Sequence, residues 1–239
     1  MGISRKYGRT YHYPFSPGAT SDDKINFNYW NNFQQIKRIV HTEKFDGENN
    51  CLNRYGVFAR SHATPTVSPW SLRIRQQWDL LKNDLGNYEI FGENLYAIHS
   101  IEYKKLPAYF FVFAVRQQDY WLSWEETKFI AQLFDLAVVN VLAEVSMPVS
   151  QHIFEADIQQ KASQPSIYES VDILTQKTCT IEGVVSRNTN EYPVEAFASN
   201  VLKYVRKGHI KTDEHWTKNW KRAQLLYEKE VDYVAIKRK

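Results

Sequence analysis

The sequence predicts an α+β fold built on a large antiparallel sheet. Three observations predict it. The chain has 239 residues, 43% hydrophobic and 24% charged, which is the size and composition of one globular domain, at most two. Strand-like runs outnumber helical ones, and the two do not alternate regularly, which disfavours a doubly wound parallel sheet.

The composition excludes several classes of protein. The net charge of +3 excludes a highly basic nucleic-acid tail but permits a basic groove. The high aromatic content, 15%, suits a mixed core or faces on which bases stack. The two cysteines, Cys51 and Cys179, are too few for a disulfide framework or a Cys-rich zinc site. Neither a signal peptide nor an apolar run of membrane length is present, so we predict a cytoplasmic protein with no membrane partner.

The first part of the chain is predicted to form an arm followed by two strands. Residues 1–24 are rich in Gly, Pro, Ser and Tyr, which indicates an irregular arm over the surface. Strands are predicted over 36–44 and 51–60, around a turn at Asp46-Gly47.

A mixture of helices and strands is predicted next. The spacing of apolar residues after Pro69 predicts a helix that ends at Gly86. Residues 88–98 and 109–115 are strand-like. Ser123 and Glu126 form a capping box that predicts a helix through about Phe134.

The last part is predicted to complete the sheet and end in a helix. Residues 178–187 and 198–206 are strand-like, and 213–233 have a mostly helical pattern. We therefore divide the chain into an arm (1–24), a main domain (25–211) and a helical extension of that domain (212–239).

The strongest chemical signal is Lys44, which ends a predicted strand just before Asp46-Gly47. One interpretation is an ordinary hairpin turn beside a lysine that faces water. The other is a nucleophile, because a neutral lysine amine can attack the α-phosphate of ATP and hold AMP as a phosphoramidate. That chemistry predicts a depressed lysine pKa caused by desolvation and neighbouring cations, with carboxylates for the ribose and a metal ion.

Suitable partners follow in order along the chain. They are a cation after a strand, a carboxylate in an apolar strand, an aromatic residue, a second strand carboxylate and a lysine: Arg60, Glu93, Phe113, Glu182 and Lys203. Each has a structural alternative, since Phe113 alone is a typical core residue and a strand glutamate usually faces solvent. Their joint order favours nucleotidyl transfer.

This series resembles the ordered nucleotidyltransferase motifs of ATP-dependent polynucleotide ligases. It is most similar to RNA ligases that seal nicks or broken ends, in a bacterial and phage branch. The opening motif of that family, Glu-Lys-x-Asp-Gly-x-Asn, is present from Glu43 to Asn49. Because DNA ligases and capping enzymes usually carry Arg at the position of Asn49, the resemblance favours an RNA ligase.

The resemblance implies a nucleotidyltransferase domain of antiparallel sheets flanked by helices, with a role for each motif residue. Lys44 would carry AMP, and Glu43 would contact the adenine edge. Asn49 and Arg60 would contact the phosphate and the RNA 5′-phosphate. Glu93 would bind the ribose, and Phe113 would stack on adenine. Glu182 would assist the metal or the lysine, and Lys203 would contact the α-phosphate.

One position departs from the family pattern. The last motif often has two lysines separated by one residue, and Val205 stands where the second is expected. Arg206 or Lys207 would supply that cation, and both are candidates for RNA contact.

The implied function is ATP-dependent joining of RNA ends or nicked duplexes in RNA repair, with ATP and Mg²⁺ or Mn²⁺ as cofactors. The alternatives are an enzyme that joins DNA by the same first step and a non-catalytic module that binds nucleic-acid ends. Only 36 residues follow Lys203, so we predict no OB-fold module. A protein partner could take its place.

Two further features of the C-terminal region are weaker. Trp216 and Trp220 are four residues apart, which predicts a helix that docks its Trp face on the sheet. A zinc site at His209, Asp213 and His215 has little support, because no cysteine or paired histidine accompanies them.

Overall fold

A computed structural model describes residues 6–60, 63–147, 149–208 and 219–229. Two sheets dominate this part of the chain. The first sheet has five strands in the order β1-β15-β13-β2-β11. These strands are β1 (Tyr11–His12), β2 (Arg38–Lys44), β11 (Val141–Ser146), β13 (Gly183–Asn188) and β15 (Val201–Val205).

The second sheet has seven strands in the order β14-β9-β8-β5-β3-β4, with β10 parallel to β8. They are β3 (Glu48–Asn53), β4 (Gly56–Ala59), β5 (Tyr88–Asn94), β8 (Phe110–Gln117), β9 (Tyr120–Trp121), β10 (Ala137–Val138) and β14 (Tyr192–Pro193). Two small pairs complete the strands: β6 (Ala97–Ile98) with β16 (Lys221–Arg222), and β7 (Ile101–Tyr103) with β12 (Ser170–Asp172).

Most of the helices lie on the outer faces of these sheets. They are α1 (Tyr29–Phe33), α2 (Leu72–Leu81), α3 (Trp124–Leu133), α4 (Gln151–Ala162) and α5 (Phe197–Asn200), with 3₁₀ turns at Pro69–Ser71 and Val194–Ala196. None of the helices in the described ranges has the length and apolar content needed to cross a membrane.

The core has three apolar layers because adjacent strand residues face opposite ways. Val40 joins the cluster between the two sheets, where it meets Phe91 and Phe111. Its neighbour Ile39 faces outward to the layer under α1 and α4, which includes Phe154. A third cluster lies between the second sheet and helices α2 and α3. The prediction of a mixed α+β fold with antiparallel sheets is therefore confirmed.

Several helices and strands begin or end at residues other than those predicted. The α3 prediction is confirmed, with the Ser123 side chain accepting from Glu126 N. α2 ends at Leu81, before the predicted end, and the chain turns at Gly86 with φ +53°. In the run predicted as a strand over 198–206, residues before Val201 are helical.

The prediction of a helix over 213–233 is wrong in part. Lys221 and Arg222 form β16 and pair with β6, where Ala223 N also donates to Tyr96 O. Trp220 packs against the ring of Tyr96, with centroids 5.8 Å apart. Trp216 and the weak zinc candidates His209, Asp213 and His215 lie outside the described residues.

The turn at Asp46-Gly47 is not a hairpin. β2 belongs to the first sheet and β3 to the second, so Phe45, Asp46 and Gly47 carry the chain from one sheet to the other. The hairpin interpretation of this motif is therefore wrong. The crossing brings the end of β2 to the inner face of the second sheet.

Candidate active site

The crossing between the sheets is held rigid by Asp46. Its Oδ2 accepts from Ser100 N (2.7 Å), Ser100 Oγ (2.7 Å) and Ile101 N (2.8 Å), while its own backbone N donates to Tyr103 Oη (3.0 Å). Gly47 must be glycine, because a Cβ there would lie 2.6 Å from Asn94 O. The backbone beside Lys44 is therefore held by the segment that leads into β7 and by the end of β5.

Lys44 and Glu182 form the central pair of the site. Lys44 lies opposite Gly183 in the ladder between β2 and β13, so the residue before Gly183 is within reach of its side chain. Lys44 Nζ lies 2.6 Å from Glu182 Oε1. The Glu182 side chain is 7% exposed, whereas Lys44 keeps 25% exposure and so an open approach.

Glu93 reaches the same place from the second sheet. It stands opposite Asn49 in the ladder between β5 and β3, and its Oε1 accepts from Gly47 N at 3.2 Å. Burial raises the pKa of Glu93 to about 8, Lys44 opposes that rise, and neighbouring carboxylates reinforce it. The two sheets thus bring Lys44, Glu93 and Glu182 together, as the resemblance implied.

The expected electrostatics of Lys44 are wrong. Burial by itself lowers the pKa of Lys44, but three neighbouring carboxylates outweigh burial and raise this pKa above its ordinary value. They are Glu182, Glu93 and Asp46. The physical reason for the error is that the crossing gathers carboxylates around the amine, whereas the sequence argument placed cations there. The raised pKa favours the ammonium form of Lys44.

Glu43 is 2% exposed. It is held by the short segment that crosses between the sheets just before β11. Its backbone N donates to Asn140 O (2.8 Å), and its Oε2 accepts from Asn140 Nδ2 (3.1 Å). Burial raises the pKa of Glu43 to about 7, against the lowering effect of Ser166 and Asn140. Asn140 and Ser166 carry no motif signal and could not be found from the sequence.

Lys203 shares a sheet face with Lys44. Directly paired strand residues project to the same side, and Lys203, Val185 and Thr42 form one such row, two residues from Lys44. Lys203 Nζ lies 3.7 Å from Asp23 Oδ1. Among the contacts of the described residues, Glu182 pairs with Lys44 and Lys203 pairs with Asp23.

The carboxylate beside Lys203 comes from the N-terminal arm. Asp23 accepts from Thr20 N (3.1 Å) and Thr20 Oγ1 (3.0 Å) and also lies 3.4 Å from His12 Nε2. β1 of this arm pairs with β15 beside Lys203. The arm is therefore an edge of the first sheet as well as a surface cover, which its Gly- and Pro-rich composition did not indicate.

Phe113 lies on the inner face of the second sheet and is 6% exposed. The Arg187 guanidinium lies 5.1 Å from its ring centroid, and Arg187 Nε donates to Phe113 O at 3.1 Å. The Tyr7 ring meets it edge-on at 5.1 Å. Adenine stacking by Phe113 remains a prediction, and Arg187 is a neighbour that the sequence analysis missed.

The remaining cations lie around the edge of the site. Arg60 is exposed just after β4, and its backbone N donates to Asn49 O at 3.1 Å. Arg206 is partly buried, and its backbone N donates to Glu182 O at 3.0 Å, whereas Lys207 lies in an exposed turn. Arg206 is therefore better placed than Lys207 to supply the cation that Val205 lacks.

A metal ion would find few protein ligands here. In the described ranges, no three His, Cys, Asp or Glu side chains are grouped so that they could hold a metal ion. Mg²⁺ commonly takes one or two carboxylates and completes its shell with phosphate oxygens and water. Glu182 fits that pattern when a nucleotide supplies the remaining oxygens.

These features define a class of protein in which two antiparallel sheets enclose a lysine and carboxylates. The enclosed site lies where the chain crosses from one sheet to the other. The sequence profile of the RNA ligase family matches residues 37–205, which spans this whole arrangement. The chain belongs to the RNA ligase family. A search of curated proteins gives no significant match.

Solved structures share the fold. An RNA ligase variant of Naegleria gruberi in the apo form aligns with TM-score 0.54 and 15% identity, covering 84% of this chain and 55% of that one. A variant of the same ligase with ATP and Mn gives TM-score 0.53 and 15% identity over 91% and 63%. An archaeal ATP-dependent RNA ligase gives TM-score 0.50 and 14% identity over 84% and 48%. The chain spans between 48% and 63% of the length of these ligases.

Proposed function

We propose that this protein is an ATP-dependent RNA ligase that works through a lysyl-AMP intermediate on Lys44. The observation that carries the proposal is the 2.6 Å contact of Lys44 Nζ with Glu182 Oε1, with Glu93 facing them from the other sheet. Membership of the RNA ligase family supports it. A module that only binds nucleic-acid ends has no need to bury an amine among carboxylates.

In the first step, Lys44 Nζ loses a proton and forms a bond to the α-phosphorus of ATP while the bond to the pyrophosphate oxygen breaks. Glu182 Oε1 is the nearest acceptor for that proton. Glu182 would hold a divalent metal, Mg²⁺ or Mn²⁺, whose charge would offset negative charge on the triphosphate.

In the next two steps, an RNA 5′-phosphate oxygen bonds to the α-phosphorus and releases the lysine amine. A 3′-hydroxyl then attacks the 5′-phosphate and AMP departs, leaving a phosphodiester. Lys203 supports the α-phosphate through charge throughout, since transfer depends mainly on positioning and electrostatics. We assign ribose contact to Glu93, adenine contact to Glu43 and Phe113, and phosphate contact to Asn49.

The proposed substrates are RNA ends or nicked duplexes in the cytoplasm. Arg60 and Arg206, at the edge of the site, are the proposed RNA contacts, with Lys207 as a weaker candidate. A partner protein could add contacts beyond this chain. An enzyme that joins DNA by the same first step is the competing function, and equal sealing of matched RNA and DNA nicks would favour it.

The test is incubation with labelled ATP and Mg²⁺ or Mn²⁺, denaturing electrophoresis and mass spectrometry. A covalent AMP adduct on the protein, followed by sealing of a nicked RNA, is expected. A protein that binds RNA ends but forms no adduct with either metal would instead be a binding module.

A further inference from the structure

Asn140 lies where the chain crosses between the two sheets for a second time. Val139 N donates to Val112 O in the second sheet (2.9 Å), and Asn140 O accepts from Glu43 N in the first (2.8 Å). The residue is therefore anchored to β8 on one side and β2 on the other. Such an anchored residue can set the position of a neighbouring side chain to within a fraction of an ångström.

Asn140 holds Glu43 at two points, through its backbone carbonyl and through its side-chain amide. The side-chain amide of Asn140 donates a hydrogen bond to Oε2 of the Glu43 carboxylate. The other oxygen, Oε1, is buried and makes no direct hydrogen bond within the described residues, although the nearby Ser166 hydroxyl favours the ionised carboxylate. Because a buried polar atom without a partner is costly, a bound molecule that donates an N–H group explains this arrangement.

We propose that Asn140 is a positioning residue that aims Oε1 of Glu43 at the exocyclic amine of adenine and thereby sets the preference for ATP over GTP. This inference rests on the proposed function. The adenine amine donates a hydrogen bond to a carboxylate oxygen. Guanine has a carbonyl oxygen at the same place, so two acceptors would face each other.

The groups around Glu43 indicate a second way in which loss of Asn140 would reduce the preference for ATP. The polar and titratable groups around it are Asn140, Ser166, Tyr103 and Tyr168. With the pKa of Glu43 already at about 7, loss of the Asn140 amide would raise it further, because that hydrogen bond favours the ionised form. A protonated carboxyl group can donate to the guanine carbonyl, so the preference for ATP would decline.

The experiment compares the rates of Lys44-AMP and Lys44-GMP formation at subsaturating ATP and GTP between pH 6 and 9. Asn140→Leu removes the amide at similar size. The ATP:GTP ratio should fall by about 10–100-fold, the value of one hydrogen bond to a charged group. The preference for ATP should be lost as the pH falls and Glu43 is protonated. The pH at which half of this preference is lost should be higher in Asn140→Leu than in wild type by about one unit or more. A general structural weakening would slow both nucleotides and leave this midpoint unchanged.

Asn188→Leu is the matched control, because it removes a partly buried amide that donates to Asn200 Oδ1 at 2.8 Å and not to Glu43. If Asn140→Leu does not fold, Asn140→Asp keeps the shape and replaces the donor with an acceptor, and the ratio should again fall. A wild-type ratio and midpoint in the folded variant overturns the role of Asn140. No adduct from the wild-type protein overturns the proposed function itself, which is a different result.

Discussion

Lys44 and Lys203 lie on the same face of one sheet, yet their surroundings differ. The partner of Lys44, Glu182, comes from the neighbouring strand region and lies 2.6 Å away. The partner of Lys203, Asp23, comes from the N-terminal arm and lies 3.7 Å away. The first lysine is enclosed by the carboxylates of the site, whereas the second is supported from outside it.

The difference shows how two lysines on one sheet can have different chemical roles. Carboxylates around Lys44 raise its pKa, and we expect Glu182, which lies in contact with the amine, to accept its proton during the reaction. Lys203 Nζ lies farther from Asp23 than Lys44 Nζ lies from Glu182, and we expect the Lys203 charge to act on the α-phosphate. We therefore expect a nucleophile at Lys44 and an electrostatic role at Lys203.

The largest effect should come from Lys44→Ala, which removes the proposed nucleophile. The AMP adduct should be lost completely, while sealing of a pre-adenylated RNA end should partly survive. Lys128→Ala, a half-buried lysine on α3 that pairs with Glu125, is the matched control and should form the adduct normally. An undiminished adduct in Lys44→Ala would remove the distinction between the two lysines.

Lys203→Ala should slow the reaction without abolishing the adduct. Loss of one positioned charge costs about 2.7–4 kcal/mol of barrier, a rate loss near 10²–10³. Adduct formation and sealing should both slow, because the α-phosphate is engaged in each, and Glu182→Ala should behave similarly. Folded variants that form the adduct at the wild-type rate would show that these groups are only structural.

The raised pKa of Glu43 predicts a pH-dependent stability. The folded chain holds a proton on Glu43 up to about pH 7, whereas an unfolded glutamate releases it near 4.5. This stabilisation is therefore full below about pH 4.5 and is lost as the pH rises through about 7. At pH 8, Glu43→Gln should be more stable than wild type by about 1–3 kcal/mol.

Denaturant unfolding at pH 5 and pH 8 measures this effect. Glu191→Gln, at an exposed position, is the control and should leave the pH dependence of the wild type unchanged. If the free energy of unfolding of Glu43→Gln keeps the wild-type dependence on pH, the carboxyl group is not buried as described. That result would also weaken the account of Asn140.

The smallest effect should come from Asp23→Asn, which removes the charge beside Lys203 and keeps the side-chain size. A partly exposed pair of this kind contributes about 1 kcal/mol or less, so adduct formation should slow by up to about fivefold. Asp22→Asn, an exposed neighbour, serves as the control. A loss as large as that of Lys203→Ala would mean that the arm does more than position this lysine.

Asp23 also predicts a second pH dependence, of opposite sign. Although burial raises its pKa, hydrogen bonds from Thr20 and the charges of Lys203 and His12 outweigh burial and lower it. Its contribution to the free energy of unfolding is present above the ordinary pKa and is lost as the pH falls. Asp23→Asn should accordingly reduce the loss of stability in acid relative to wild type.

The sequence by itself determined the α+β class and the α3 capping box, and it singled out Lys44, Glu93 and Glu182, which the structure brings together. These depend on local information: apolar periodicity, a cap within one helical turn, and charged residues set into apolar strands. For the same reason, the sequence misplaced the starts of β13 and β15, where tertiary packing decides which residues are extended.

Only the tertiary structure decided what surrounds those residues. The turn at Asp46 looks like a hairpin in the sequence, and the two strands that it joins prove to lie in different sheets. Asn140 and Asp23 have no local signal, because each acts through a residue far away in the chain. The direction of the Lys44 pKa follows from the same cause: it is set by the balance between burial and carboxylates from three separate segments, and a linear sequence gives neither distances nor burial.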